Sequence, residues 1–157
     1  MEKIFDSFKN TLKEHDSEHG LANSRARLRM STLYQVAASN SGIVVGTGNK
    51  VEDFGVGFYT KYGDGGVDIS PIADCTKTEV WELGKYLGVS KEIIDAEPTD
   101  GLWSDGRNDK DQLGMTYEEL ELAMKNQKDP NHKKYLEIRK KNLHKIKPIP
   151  VCKFNDE

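Results

Sequence analysis

The segment TKYGDGGVD, residues 60–68, combines residue types that bind charged or polar ligands. It contains one lysine, two aspartates and three glycines within nine residues, and it shows no apolar periodicity that would bury them. Lys61 is suited to an anionic ligand, whereas Asp64 and Asp68 can accept hydrogen bonds from hydroxyl, amine or amide groups. Taken alone, the segment predicts either a binding loop or a plain surface hairpin, and it lacks the ligand spacing of an EF-hand.

A second candidate segment, GTGNKVE at residues 46–52, directly follows the short apolar run IVV at residues 43–45. The run is β-branched and apolar on both faces, so it predicts an interior strand of a parallel sheet. Open α/β sheets place ligands at the carboxyl ends of such strands. Thr47 could then contact a phosphate or a base edge, and Glu52 could hold Mg²⁺. A purely structural glycine turn after the strand is the alternative.

Basic residues form three further candidate groups. Three arginines occupy alternate positions along residues 25–29. On a helix, at most one or two of them would share a face, which is also typical of a solvated helix end. Lys77 follows a helix cap, a position that the helix dipole disfavours for lysine and that a phosphate would make tolerable. The run 132–147 has seven Lys or Arg against one Glu and one interleaved aromatic residue. That pattern favours a solvated helix face over a nucleic-acid surface.

Hydrophobic periodicity and capping signals predict a helix-rich chain. The expected helices cover about residues 2–15, 24–38, 76–87, 90–95, 116–126 and 132–146. The second helix is expected to begin after Gly20 and to bury Leu33. Residues 96–115 are rich in Asp, Gly and Asn and are predicted to form an irregular, mobile loop.

The single predicted strand has a structural consequence. An interior parallel strand without partners leaves backbone groups unpaired, which is costly. The chain offers only residues 148–154 as a further, weak edge strand. We therefore expect the remaining strands to lie upstream or in another chain. The alternative is a mostly helical bundle that tolerates one short strand.

Length and composition limit the classes of protein that remain. The 157 residues correspond to one domain or part of one, and the formal charge of −3 gives no basic excess for a nucleic-acid coat protein. The mean hydropathy of −0.71 and the 36% apolar content are polar but globular. No apolar run approaches a membrane span, and two cysteines make neither a metal box nor a disulfide framework. We expect a soluble protein of a reducing compartment.

In order along the chain, these segments resemble NAD synthetase, the ATP-dependent ligase that amidates deamido-NAD⁺. The resemblance extends from about Ser24 to Pro150 and is carried by ARLRM, VVGTGNKVE, TKYGDGGVD, SPIADCTKTEVWEL, LGMTYEEL and HKIKPIP. It implies part of an α/β, Rossmann-like parallel-sheet fold of the adenine nucleotide α-hydrolase type. It also implies an adenylated intermediate, with ATP, ammonia and deamido-NAD⁺ as substrates and Mg²⁺ as cofactor. Members of this family are cytoplasmic homodimers with the deamido-NAD⁺ site across the interface, so a homodimer is expected here.

The family's site residues transfer to matching positions of this sequence. The resemblance implies that Glu52 holds Mg²⁺ and that Asp64 orients or deprotonates the incoming ammonia. The ATP contacts that it implies are Thr47, Lys77 and Thr99. The implied deamido-NAD⁺ contacts are Arg27, Lys61, Asp68, His144 and Lys145.

Two features depart from the family pattern. Residues 53–60 are one residue longer than the common pattern. The SGGxDS loop, which cradles pyrophosphate and gives an aspartate to Mg²⁺, does not occur in this sequence. We therefore predict that residues 1–157 form a single domain, the C-terminal part of an NAD synthetase, with little or no turnover as this chain alone. The alternatives are a non-catalytic nucleotide-binding or dimerisation module, and the synthetase part of a glutamine-dependent form.

Overall fold

The computed structural model describes residues 1–154 and is dominated by helices. Its α-helices are α1 (Glu2–Thr11), α2 (Glu18–Ser39), α3 (Lys77–Tyr86), α4 (Lys91–Ile94), α5 (Asp109–Leu113), α6 (Tyr117–Lys125) and α7 (His132–Ile146). A 3₁₀ turn covers Lys13–His15, and a π-helix covers Lys50–Val56. None of the helices within residues 1–154 is long and apolar enough to cross a membrane.

Two capping boxes that the sequence predicts are confirmed. The Glu79 amide donates to the Thr76 hydroxyl and the Thr76 amide donates to the Glu79 carboxylate, so α3 begins directly after Thr76. Thr116 and Glu119 make the same exchange at the start of α6. The short helix α4 and the long basic helix α7 are also found where they were predicted.

The segment 96–115 is not irregular throughout, because α5 lies within it. Asn108 caps this helix by accepting from the Asp111 amide at 2.8 Å, and the Asn108 amide donates to the Asp111 carboxylate at 3.2 Å. The prediction of a fully irregular loop was wrong here. Asn and Asp three residues apart can form the same pair of capping hydrogen bonds as Thr and Glu. The prediction did not include this form of the capping box.

The two N-terminal helices differ from their predicted bounds. α1 is shorter than the predicted range 2–15, whose end is the 3₁₀ turn. α2 begins at Glu18, upstream of its predicted start, because the Ser17 side chain caps it by accepting from the Gly20 amide at 3.3 Å. Gly20 therefore lies inside the helix and does not separate it from α1. Leu33, which was predicted to be buried, is 55% exposed.

Residues 43–45 form much less of a sheet than the sequence predicts. Val45 makes a single parallel bridge with Ile69, and the next residue, Gly46, donates its amide to the Ile69 carbonyl at 2.8 Å. Val44 is buried, but Ile43 and Val45 are 59% and 54% exposed. The predicted interior strand with two buried faces is therefore wrong for this chain. Alternate side chains point to opposite faces, and no further strand among residues 1–154 covers the open face.

The apolar core lies between the π-helix, α6 and α7. Leu120 of α6 and Val51 and Val56 of the π-helix have 0% exposure. The other buried members of this cluster are Leu113, Met115, Tyr117, Ala123 and Tyr135. Full burial of one large apolar side chain contributes about 1.5–3 kcal/mol. The core therefore anchors the π-helix, which follows directly on the glycine-rich turn after residues 43–45.

Candidate functional site

The π-helix fixes the orientation of Glu52. Asn49 caps its start, because its side-chain oxygen accepts from the Val51 and Glu52 amides at 3.0 Å each. The Asn49 amide nitrogen also donates to Glu52 Oε2 at 2.5 Å. A π-helix has a wider turn than an α-helix and is frequent at functional sites. This wider turn overlaps the stretch 53–60, in which the sequence is one residue longer than the pattern it resembles.

Glu52 and Lys77 form an ion pair, although the sequence selected them from separate motifs. Lys77 Nζ lies 2.7 Å from Glu52 Oε1, and the two side chains are only 18% and 15% exposed. Lys77 occupies the first turn of α3. The buried Glu121 of α6 holds that turn, because its carboxylate accepts from the Thr78 amide at 3.0 Å and from the Thr78 hydroxyl at 2.7 Å.

Tyr117 and Asp109 complete this cluster, and the sequence analysis selected neither. The Tyr117 hydroxyl oxygen lies 2.6 Å from Glu52 Oε1 and 2.6 Å from Asp109 Oδ2. Lys77 Nζ lies 4.8 Å from the centre of the Tyr117 ring, a cation–π distance. Burial raises the pKa of the Asp109 carboxyl, and the nearby Glu52 raises it further. Burial and Glu52 likewise raise the pKa of Tyr117.

Three of the residues predicted to bind deamido-NAD⁺ adjoin one another. Arg27 Nε donates to the Lys61 carbonyl at 3.2 Å, and Lys61 Nζ donates to the His144 carbonyl at 2.9 Å. These contacts join α2, the glycine-rich segment and α7. Asp68 is used differently, because its carboxylate accepts from the Val44 amide at 2.7 Å and so helps to fix the short strand.

The last predicted residue, Lys145, belongs to a row of α7 side chains that holds the end of the π-helix. Arg139, Asn142 and Lys145 all donate to backbone carbonyls of residues 54–59. Lys145 Nζ makes two of these contacts, at 2.8 and 2.7 Å. Burial lowers the pKa of the Lys145 ammonium, an effect that the negative charge of Asp64 opposes.

Asp64 lies where two cavities meet. A cavity of about 330 Å³ is lined by Thr47 and Asp64, and one of about 200 Å³ by Lys145 and Asp64. Asp100 and Leu102, from the loop that precedes α5, line both cavities. The surrounding protein atoms keep water from the Asp64 carboxyl, and this loss of hydration raises its pKa, although part of the residue remains exposed. A backbone amide that donates to it at 2.9 Å opposes this rise.

Asp53 is an ionisable residue of this region that the sequence analysis missed. Burial, together with the negative charges of Asp64 and Glu52, raises the pKa of Asp53 to about 7, and Lys145 opposes the rise. The Asp53 carboxyl packs against the backbone of Gly48, where a Cβ would collide with it. This close approach explains the second glycine of the GTG motif.

Thr99 is engaged within its own loop. Its hydroxyl donates to the Arg107 carbonyl at 3.2 Å and accepts from the Gly101 amide at 3.3 Å. The loop is docked on α2, where Arg29 donates to the carbonyls of Asp100 and Gly101. The structure thus brings together two groups of predicted residues, Glu52 with Lys77 and Arg27 with Lys61 and His144. Asp64 also shares one cavity with Thr47 and a second with Lys145, whereas Asp68 and Thr99 contact residues outside the predicted set.

The sequence is similar to that of known proteins. The family model for NAD synthase matches residues 1–154. The NH3-dependent NAD⁺ synthetase of Carboxydothermus hydrogenoformans is 45% identical over 118 residues, which are 75% of this chain and 48% of that protein. The protein of the same name from Thermoplasma volcanium is 39% identical over 152 residues, which are 92% of this chain and 62% of that protein. The chain therefore spans about half to three fifths of the length of these relatives.

Two solved structures are also similar. The NMN synthetase from Francisella tularensis superimposes with a TM-score of 0.86 at 33% identity, covering 97% of this chain and 64% of that one. The NH3-dependent NAD synthetase from Campylobacter jejuni superimposes with a TM-score of 0.73 at 27% identity, covering 97% of this chain and 63% of that one.

Proposed function

Because this chain belongs to the NAD synthase family, we propose that it supplies part of the active site of an ammonia-dependent NAD⁺ synthetase. The observation that carries the proposal is the contact between Glu52 and Lys77, 2.7 Å apart and largely shielded from water. One residue type suits Mg²⁺ and the other suits a phosphate. A site for a magnesium-bound nucleotide requires a carboxylate and an ammonium group close together.

The proposed reaction has two steps. The nicotinate carboxylate of deamido-NAD⁺ attacks the α-phosphorus of ATP, and the bond to pyrophosphate breaks. Ammonia then attacks the carbonyl carbon of the acyl adenylate, AMP leaves, and loss of a proton gives the amide of NAD⁺. Lys77 would neutralise charge that develops on the phosphates, and Thr47 and Thr99 would contact ATP. Asp64, at the meeting of the two cavities, would orient ammonia and accept the proton.

Glu52 is the residue that would hold Mg²⁺. This ion prefers oxygen ligands and is usually held by one or two carboxylates together with phosphate oxygens. The local chemistry fits, because Asp109 beside Glu52 has a buried oxygen, Oδ1, without a hydrogen-bond partner among residues 1–154. Within the same residues, no group of three or more His, Cys, Asp or Glu side chains could hold a metal. When bound, Mg²⁺ would supply charge neutralisation at the phosphates.

The cationic group near α7 would bind deamido-NAD⁺. Arg27, Lys61, His144 and Lys145 suit a dinucleotide that carries a carboxylate and two phosphates. Their approach from three separate elements supports this role. Asp68 would accept hydrogen bonds from the ligand's hydroxyl or amide groups.

We assign the complete arrangement to a Rossmann-like α/β fold in a cytoplasmic homodimer. The parallel bridge between Val45 and Ile69 and the exposure of Ile43 support the addition of further parallel strands at this edge. The family resemblance supports the dimer, with the deamido-NAD⁺ site across its interface.

A second candidate function is amidation of a mononucleotide in place of the dinucleotide. It is favoured by one observation, the TM-score of 0.86 with the NMN synthetase, compared with 0.73 for the NAD synthetase. Both substrates would present the same nicotinate carboxylate to the site. Assays with nicotinate mononucleotide and with deamido-NAD⁺ in parallel distinguish the two candidates.

The test is an assay of amide formation from ATP, Mg²⁺, ammonia and either nucleotide. We expect little or no turnover from this chain alone, and turnover when it is mixed with a segment that carries the SGGxDS loop. In the active mixture, Glu52→Gln and Lys77→Ala should each lower kcat/KM at least about a hundredfold. Glu118→Gln, an exposed carboxylate beside Tyr117, is the matched control and should have no effect.

Other results would point elsewhere. An associated, folded mixture without activity favours a non-catalytic binding or dimerisation module. Use of glutamine only when an amidase partner is added favours the synthetase part of a glutamine-dependent form. Full activity of Glu52→Gln would contradict the proposed site itself.

A further inference from the structure

We propose that Asp109 is a second carboxylate ligand of the divalent cation at Glu52. This inference rests on the proposed function, since it extends the cation site placed there. Asp109 is the first residue of α5 and reaches the site from the 96–115 segment. It is 6% exposed, which is unusual for an aspartate that is not paired with a cation.

The first support is the arrangement around the Tyr117 hydroxyl. Its oxygen lies 2.6 Å from a carboxylate oxygen of Glu52 and 2.6 Å from one of Asp109. A phenol has one proton, so it can donate to only one of these two acceptors at a time. The two carboxylates are therefore held on either side of one hydroxyl with too few donors between them.

The second support is the other oxygen of Asp109. Oδ1 is buried and has no hydrogen-bond partner among residues 1–154. Buried polar atoms are almost always paired, and a charged one left unpaired is especially costly. Asp109 is also not needed to cap its helix, because Asn108 and Asp111 make that capping box. Helix capping therefore does not account for this carboxylate.

The third support is the charge of the cluster. Glu52 and Asp109 bring two carboxylates, and Lys77 supplies one ammonium group, which already pairs with Glu52. Among residues 1–154, Asp109 forms no ion pair, although it lies in a region shielded from water, where charge interactions are strong. Carboxylate pairs are common ligands of Mg²⁺ and Mn²⁺. A divalent cation would balance the unpaired charge and coordinate the unpaired oxygen.

The experiment measures cation binding to the full chain without nucleotide, by titration with Mn²⁺ up to about 10 mM followed by electron paramagnetic resonance. Asp109→Asn should weaken Mn²⁺ binding at least about tenfold, as should Glu52→Gln. Glu118→Gln should bind like the unchanged chain. Circular dichroism melting of each variant reports folding, and Asp109→Ser serves as a second neutral variant if Asp109→Asn does not fold.

The outcomes separate this inference from the proposed function. If Asp109→Asn and Asp109→Ser bind Mn²⁺ as the unchanged chain does while Glu52→Gln binds more weakly, Asp109 is not a ligand and the site at Glu52 stands. If Glu52→Gln also binds normally, or the unchanged chain binds no Mn²⁺, the inference is overturned, and the amidation assay with Glu52→Gln then decides the proposed cation site by itself. Weaker Mn²⁺ binding by the two Asp109 variants and by Glu52→Gln, but not by Glu118→Gln, supports the inference.

Discussion

Two regions of the molecule bury their apolar side chains to very different degrees. The helical region, residues 50–58 and 109–146, contains Leu120 and Val51 at 0% exposure. The strand region, residues 33–45 with residue 69, leaves Leu33 and Ile43 more than half exposed, at 55% and 59%. The strand region has the more apolar sequence of the two, so the difference is one of available partners rather than of composition.

The contrast shows where the candidate site obtains its rigidity. Glu52 and Tyr117 belong to the helical region, and Lys77, the ion-pair partner of Glu52, is held against it. Thr47 lies at the end of the strand region, exposed at a cavity wall. The side of the candidate site for which we propose cation and phosphate binding is therefore preorganised by packing, whereas the side near Thr47 depends on the less packed region.

The largest expected effect tests this contrast directly. Leu120→Ala should lower the free energy of unfolding by about 3 kcal/mol, because it removes a fully buried side chain and leaves a cavity. Leu33→Ala, the same change at an exposed position, should cost less than about 0.5 kcal/mol. Urea unfolding followed by circular dichroism gives both values. Equal costs at the two positions would mean that the two regions are packed alike.

A smaller effect concerns charge at the edge of the helical region. The pKa of Asp53 is raised to about 7 from its ordinary value of 3.8, so the folded chain binds this proton more tightly than the unfolded chain. The stability that the Asp53 proton contributes is then full below about pH 4 and falls away as the pH rises through about 7. Asp53→Asn should remove this fall.

The measurement is the free energy of unfolding at several pH values in buffer without divalent cations. At pH 8, Asp53→Asn should be more stable than the unchanged chain by about 2 kcal/mol, because its amide still needs hydrogen-bond partners. Near pH 4, where the unchanged chain gains the stability of the protonated Asp53 carboxyl, Asp53→Asn should be the less stable of the two. A constant difference across this range would show that Asp53 titrates normally.

The smallest of the three effects concerns the contact between α6 and α3. Glu121→Gln replaces a carboxylate that accepts from the Thr78 amide and hydroxyl, and it should cost about 1.5 kcal/mol. The exposed Glu118→Gln on the same helix is the control and should change stability little. The Thr78 contact is expected to hold the turn that carries Lys77. If Glu121→Gln loses no more stability than the control, the packed region does not hold this turn through Glu121.

Local signals predicted the elements of the helical region well. Thr76 with Glu79 and Thr116 with Glu119 are exchanges between residues three apart, so the sequence contains both partners. The pairing of Glu52 with Lys77 was not predicted, because it joins residues 25 apart through the packing of the π-helix against α3. Residue types and spacing already selected several of the ten site residues, such as Glu52, Lys61 and Asp64; the family resemblance supplied the rest and their roles, which stay predictions.

Other features lay outside what local patterns can report. Tyr117 resembles an ordinary core residue of α6 in sequence, and only the tertiary structure turns its hydroxyl towards Glu52 and Asp109. The apolar run at residues 43–45 indicated burial on two faces, but burial depends on neighbouring strands that a local pattern does not contain. The exposure of Ile43 is the result.

The row of α7 side chains that holds the end of the π-helix also sets the order in which parts of the chain can fold during synthesis. Its contacts with residues 54–59 join positions 84–88 residues apart. A ribosome adding about 5–20 residues per second leaves Glu52 without this support for roughly ten seconds. In the nascent chain, the segment around Glu52 must therefore wait for one of the last helices before it can settle.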